Sequence, residues 1–200
     1  MPRALATRVL AAALLVPAAA AATPCRARPD PLGWAAPDFV KLQSGGFLGL
    51  ATVGVGYASR DDLLAGAAYY GWVPRSVAGI EIHSFALTLT ARGRLCLDPR
   101  WEWIVGYGGV GSVFTRGEGF FIESPSPYPD DYYQPTARRY LLLLGSELLH
   151  RPAASPEWLS AHGAFFELVF LDKYLSAWWK NDRISLRETL SLALGYKLRL

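Results

Sequence analysis

The feature that most constrains this chain is the alternation of its last ten residues, SLALGYKLRL, from Ser191 to Leu200. Leu192, Leu194, Tyr196, Leu198 and Leu200 fall on one side, and Ser191, Ala193, Gly195, Lys197 and Arg199 on the other. Successive side chains of an extended strand point to opposite faces, so period two predicts a strand. One face is wholly apolar and the other carries charge. Such a strand needs a partner on each edge and an apolar medium on one side.

The same pattern recurs along the chain. It predicts strands over about 41–57, 63–72, 80–92, 101–114, 138–150, 158–171 and 184–200, separated by turn-forming residues. No comparable run shows the 3.6-residue period of an amphipathic helix. The hydrophobic share is 52%, yet beyond the leader no stretch of about 18 apolar residues could cross a bilayer as a helix. The fold class expected is all-β.

A soluble sandwich also alternates, but three features favour an antiparallel transmembrane β-barrel. The faces opposite the apolar stripes hold Glu102, Arg139, Glu147, Glu167, Lys197 and Arg199, which suit a polar lumen better than an apolar core. Aromatic residues gather near strand ends: Tyr69, Tyr70, Trp72, Trp101, Trp103, Trp158, Tyr174, Trp178 and Trp179. Rings at both edges of an apolar band form an interfacial girdle. The connections also alternate in length, with ASRDD, GRLCLDPR and RPAASPE short and the others longer. That predicts short periplasmic turns and long extracellular loops, the 115–136 segment being a candidate contact surface.

In lipid every unpaired backbone N–H or C=O is costly, so the terminal strands must pair with each other. Seven strands would leave the two chain ends on opposite sides, and single-chain bacterial barrels have even strand numbers. Eight strands are therefore expected, the eighth hidden between Pro37 and Tyr57 with a kink at Gly45 and Gly46; the alternative is that the 23–40 segment threads the lumen. An eight-stranded barrel is just wide enough for side chains to fill. Inward glycines (Gly54, Gly56, Gly106, Gly108, Gly145 and Gly195) would leave some room, and inward charges would pair across it. A narrow or closed lumen is expected.

The N-terminus carries an address. Residues 1–22 read as a secretory signal peptide: a basic start with Arg3 and Arg8, an apolar run from Val9 to Val16, and small residues from Ala18 to Ala22. Residues 23–36 read as an extended lead-in and 37–200 as the barrel domain. Export would place Cys25 and Cys96 in an oxidising compartment, where a disulfide between them is one possibility and two thiols the other. The formal net charge of +3, without a basic patch interleaved with aromatics, gives no support to nucleic-acid binding.

The segments GLATVGVGYAS, YYGWVPRSVAGIEIHSFALTLT, YPDDYYQPTARR and SLALGYKLRL resemble a family of small, uncharacterised bacterial outer-membrane β-barrel proteins. The resemblance implies the fold and the location and brings no activity. Gly195, Tyr196, Leu198 and Leu200 also resemble the terminal signal that barrel-assembly machinery reads, though such signals usually end in Phe or Trp. Outer-membrane lipids and that machinery are the partners implied.

Catalytic signals are weak. Ser160 and His162 share a strand face and are the best nucleophile–base candidates for a lipid A deacylase or acyltransferase type of reaction. Their order is the reverse of the deacylase-like His-x-Ser motif, and they sit near the periplasmic end. Glu81, His83 and Ser84 lie near the other rim, with His83 and Ser84 on opposite faces. Asp130 and Asp131 are adjacent carboxylates in the long loop. No Gly-rich phosphate cradle, HExxH or CxxC occurs, so neither metal nor cofactor is expected. The functional expectation is an outer-membrane barrel with a structural or binding role; a lipid-modifying enzyme and a small-solute channel are the alternatives.

Overall fold

The structure, a computed structural model, describes residues 36–97, 99–122, 136–181 and 183–200. The expected signal segment, Cys25 and loop residues 123–135 lie outside them, as does the pairing of Cys25 with Cys96. Eight antiparallel strands close into a barrel in sequence order. They are β1 (Phe39–Gly45), β2 (Gly49–Ala58), β3 (Leu64–Val73), β4 (Ile82–Cys96), β5 (Trp101–Arg116), β6 (Arg138–His150), β7 (Ala161–Leu171) and β8 (Leu190–Arg199). Three helices lie in the connections: α1 (Arg75–Ala78), α2 (Asp172–Lys180) and α3 (Leu186–Thr189). None is long and apolar enough to cross a membrane.

The expected eighth strand lies in the 37–57 stretch where closure and an even strand number placed it. The 37–57 stretch folds back on itself at residues 46–48, with Gly45, Gly46 and Phe47 all at positive φ (89°, 69° and 63°). A Cβ on Gly45 would stand 2.2 Å from the carbonyl oxygen of Leu192, so this corner has no space for a side chain there. β1 then pairs with β8 from Phe39↔Arg199 to Gly45↔Ala193. Beyond the ladder, the Leu200 N–H donates to the Asp38 carbonyl at 3.0 Å. Both chain-terminal strands therefore emerge at one end, here called the terminal end, with the 59–63, 97–100 and 151–160 connections. The opposite, loop end carries the 46–48 turn, α1, the 117–137 connection and the α2–α3 segment.

The DKYLSAWWKNDR stretch reads as a loop in sequence, yet its first nine residues form α2. They contain no Gly or Pro, and Asp172 and Lys180 sit in the first and last turns, where each charge suits the helix dipole. The last strand begins at Leu190 and not Ile184, because α3 intervenes. Its start is fixed by the Ser185 N–H donating to Glu188 Oε2 at 2.9 Å, one half of an S-x-x-E capping box.

Outward positions form an apolar belt around the barrel. Leu87 is 64% exposed, Val110 59% and Leu194 58%. Soluble monomers seldom leave so continuous an apolar surface bare.

Strand β5 departs from simple alternation. Ile104 pairs with Glu147 but Tyr107 with Gly145, so β5 carries one extra residue there. This β-bulge flips every side chain beyond it. Tyr107, which unbroken alternation places outside with Trp101 and Trp103, turns into the lumen and is buried. Gly108, expected inside, pairs with the outward-facing positions of Ala91 and Leu144.

The inward glycines do not leave open space. Gly54 is paired directly with Tyr69, Gly56 with Phe39, Gly145 with Tyr107 and Gly195 with Phe165. In each pair the aromatic ring lies over the glycine: an added Cβ would come within 2.3–2.5 Å of a ring carbon. Gly145 is also 2.6 Å, from its missing Cβ, to the backbone oxygen of Phe166, which cannot swing aside. Replacing Gly145 with Val should lower stability by about 1–3 kcal/mol through overpacking. Gly66→Ala, where the nearest atom to a new Cβ is 3.9 Å away, should stay within about 0.5 kcal/mol. Urea unfolding of the detergent-folded protein checks both.

Candidate functional site

The lumen is filled at the terminal end by charge. Glu102, Glu147 and Glu167, with Lys197 and Arg199, all point inward and are 0–4% exposed. Arg139 is also inward, but it stands near the loop end, apart from this cluster. The structure adds members that sequence reasoning did not single out: Lys41 on β1, Arg92 on β4 and Asp62 in the 59–63 turn, each buried.

Two tiers can be followed. In the deeper one, Lys197 Nζ lies 2.6 Å from Glu147 Oε2. Lys41 Nζ lies 3.1 Å from Glu147 Oε1 and 2.7 Å from Glu167 Oε1. The Tyr107 hydroxyl donates to Glu167 Oε1 at 2.7 Å. Lys41 and Lys197 are direct partners across the closing β1–β8 seam, a like-charge pairing that is unfavourable by itself. Glu147 resolves it by binding both. In the outer tier, Arg199 joins Glu102 at 3.1 Å and Asp62 at 3.0 Å, and Arg151 reaches Glu102 at 2.7 Å. Arg92 Nη2 stands 3.1 Å from Asp62 Oδ1 without the alignment of a hydrogen bond. Asp62 adopts φ 59°, a left-handed conformation that Asp tolerates better than bulkier residues, and this turn aims its carboxylate at the two arginines.

The aromatic rings over the glycines serve these cations. Lys197 Nζ sits 4.4 Å from the centroid of Phe39, and Lys41 Nζ 4.2 Å from that of Phe165. Desolvated cation–π contacts are worth about 2 kcal/mol or more. Each of these sites stacks glycine, ring and ammonium, with carboxylates beside them.

The girdle residues divide by end. Tyr70 and Trp72 face outward near the loop end, where the Tyr70 hydroxyl meets His83 Nδ1 at 2.7 Å and Trp72 Nε1 donates to Glu81 at 3.0 Å. Trp101 and Trp103 face outward at the terminal end. Trp101 packs on His150 with ring centroids 4.7 Å apart, and Trp103 Nε1 donates to Ser146 at 2.9 Å. Trp158 is exposed in the 151–160 connection. Tyr174, Trp178 and Trp179 ride on α2, with Tyr174 stacked on Phe47 at 5.6 Å. Tyr69 is the correction: it does not join the girdle but is buried in the lumen over Gly54, because consecutive residues of a strand face opposite ways and Tyr70 takes the outside.

Ser160 and His162 meet different partners. The Ser160 hydroxyl donates to the carbonyls of Arg199 and Leu200 at 3.2 and 3.4 Å, at the barrel's closing edge. The His162 imidazole bonds the Tyr196 hydroxyl and packs edge-on to His150 at 5.6 Å. Ser84 points inward and His83 outward. Of the terminal segment, Gly195 lies under Phe165, Tyr196 faces out, and Leu200 bonds Asp38. Among the described residues no group of three or more His, Cys, Asp or Glu could hold a metal; Asp130 and Asp131 fall outside them. At the loop end a cavity of about 470 Å³ opens above the filled part of the lumen.

These features define a closed, eight-stranded antiparallel barrel with an apolar exterior and a charged, filled interior. Solved structures with a similar fold include the N-terminal β-barrel domain of Pseudomonas aeruginosa OprF (12% identity, 82% of this chain and 98% of that one, TM-score 0.39). A major outer membrane protein from Thermus thermophilus matches at 12% identity over 81% of this chain and 99% of that one, TM-score 0.44. The outer membrane enzyme PagL matches at 13% identity over 81% and 98%, TM-score 0.39. No protein-family model and no curated protein sequence matches the chain.

Lys197 is fully buried, so Lys197→Met should cost about 3–5 kcal/mol by stranding charge inside the barrel. The double replacement Lys197→Met with Glu147→Gln should recover part of that loss. Denaturant midpoints of the two variants in the same detergent test the coupling.

Proposed function

We propose that this protein is a bacterial outer-membrane β-barrel that conducts no ions and serves a structural or binding role. The observation that carries the reading is the two-tier charge cluster that fills the lumen beneath an apolar outer belt. A belt of exposed Leu, Val and Phe is stable in hydrocarbon and poorly soluble in water. Breaking the buried ion pairs to open a path would leave charges uncompensated at low dielectric. The N-terminal segment acts as the export signal, and the C-terminal Gly195–Leu200 segment as the recognition element for assembly machinery. The terminal end then faces the periplasm and the loop end the exterior, with outer-membrane lipids around the belt.

Two measurements test this. In planar bilayers the folded protein should give no unitary steps, and steady stepwise conductance would overturn the closed-lumen reading. In cells the protein should fractionate with the outer membrane, and a soluble periplasmic location would overturn the membrane reading. The enzymatic alternative finds no nucleophile–base contact between Ser160 and His162. Lipid A from cells with and without the gene should accordingly have the same mass spectrum.

A further inference from the structure

The apolar belt ends differently around the barrel. Along β6 the outward positions from Leu148, which pairs with Trp103, to Tyr140 carry no charge, and the next one is Arg138. On β5 the outward positions beyond the bulge are likewise uncharged as far as Phe114, and the next is Arg116. Both arginines are exposed. The stretch from Arg138 to Leu148, at about 3.4 Å per residue and a tilt of about 40°, rises roughly 25 Å. The apolar band of an outer-membrane barrel is about as tall. With Trp103 at one edge of the hydrocarbon, Arg138 stands at the other, and Arg116 lies just beyond it at headgroup level.

The register brings the two arginines together. Phe114 pairs with Arg138, so Arg116, two residues on, is the diagonal neighbour of Arg138 on the same face. Such neighbours stand about 7–8 Å apart, within reach of two long side chains that meet at one group. Arg138 is held in place: its Nη2 donates to the Tyr140 hydroxyl at 3.2 Å, and the guanidinium lies 5.6 Å from the centroid of that ring. A guanidinium has five N–H donors in a fixed fork, so most of those on Arg138 remain available. Acids at this end are placed elsewhere. Glu81 accepts from Trp72 and lies 3.6 Å from His83, Asp172 lies 4.0 Å from Arg139, and Glu118 is exposed past the end of β5. Neither Arg116 nor Arg138 has an ion-pair partner among the described residues.

Two cations at the top of an apolar stripe call for an anion with an apolar body beneath it. A phosphate monoester carries about −1.5 to −2 charges at neutral pH and three acceptor oxygens, and its geometry suits the arginine fork. At the head of a lipid it would lay its chains along the exposed side chains of Phe114, Tyr140 and Val110. We infer that Arg116 and Arg138 form a site on the outer face of the barrel for the phosphate monoester headgroup of a membrane lipid, its chains against Phe114, Tyr140 and Val110. The inference rests on the membrane reading proposed above and deepens it by naming a lipid site.

The test is native mass spectrometry of the full mature chain, folded in detergent and titrated with phosphatidic acid, phosphatidylglycerol or phosphatidylcholine of matched chains. Phosphatidic acid, the monoester, should bind at least about tenfold tighter than zwitterionic phosphatidylcholine, with the diester phosphatidylglycerol between them. Arg116→Gln and Arg138→Gln should each weaken phosphatidic acid about tenfold, and the double variant should bind all three lipids alike. Arg75→Gln, on α1 at the same end, should leave the order unchanged. Far-UV circular dichroism checks that each variant keeps its strands. Arg138→Lys, which keeps the charge without the planar fork, should fall between Arg138 and Arg138→Gln and serves if a Gln variant does not fold. Equal binding of the three lipids by the unaltered chain, an unchanged preference in the double variant, or an equal loss in Arg75→Gln would overturn the inference. Glycerol phosphate, the headgroup without chains, should not displace phosphatidic acid at equal concentration, and displacement would overturn the lipid assignment. A folded barrel without lipid preference removes this inference alone, whereas a soluble periplasmic location removes the membrane reading whatever the titration gives.

Discussion

Everything in this molecule depends on the pairing of its first strand with its last. Seven register pairs join β1 to β8, and the Leu200–Asp38 hydrogen bond extends the seam past the ladder. Without that seam two strands would present unpaired N–H and C=O groups along the apolar belt. With it, every strand has two neighbours and the sheet has no edge. The even strand number follows, and so does the gathering of both terminal strands at one end.

Closure makes the interior small, and the chain fills it in an ordered way. Glycine on one strand admits an aromatic ring from its register partner, and the ring in turn supports an ammonium group. Phe39 over Gly56 carries Lys197, and Phe165 over Gly195 carries Lys41. Glu147 then binds both lysines. A cluster of this kind adds little net stability over well-packed apolar groups. What it does is fill a lumen whose outer wall already holds the apolar residues, while keeping each buried charge partnered.

The two ends of the barrel are consequently different. The outer ends of β1 and β8 and the 59–63, 97–100 and 151–160 connections meet at the filled end, where Asp62 from a turn and Arg151 beyond β6 complete the outer tier. At the loop end α2 leans on the 46–48 turn through Tyr174 and Phe47, and the lumen above the Gln43–Thr52 layer stays open.

Much of this was legible in the sequence. Alternation with apolar stripes opposite Glu102, Glu147, Glu167, Lys197 and Arg199 determined a β-barrel turned polar-side in, and the need to close it implied an eighth strand near Gly45 and Gly46. These are local patterns, and a strand's face is a local property. The tertiary structure alone decided the rest. The bulge at residues 105–106 turned Tyr107 inward, because register is set by the neighbouring strands β4 and β6 and not by β5 itself. The ring of Tyr69, which alternation already turns inward, finds its space only because Gly54 on β2 is its register partner. Lys41, Arg92 and Asp62 joined the charge cluster because closure brought residues distant in sequence to one level of the lumen, and no spacing along the chain records that distance.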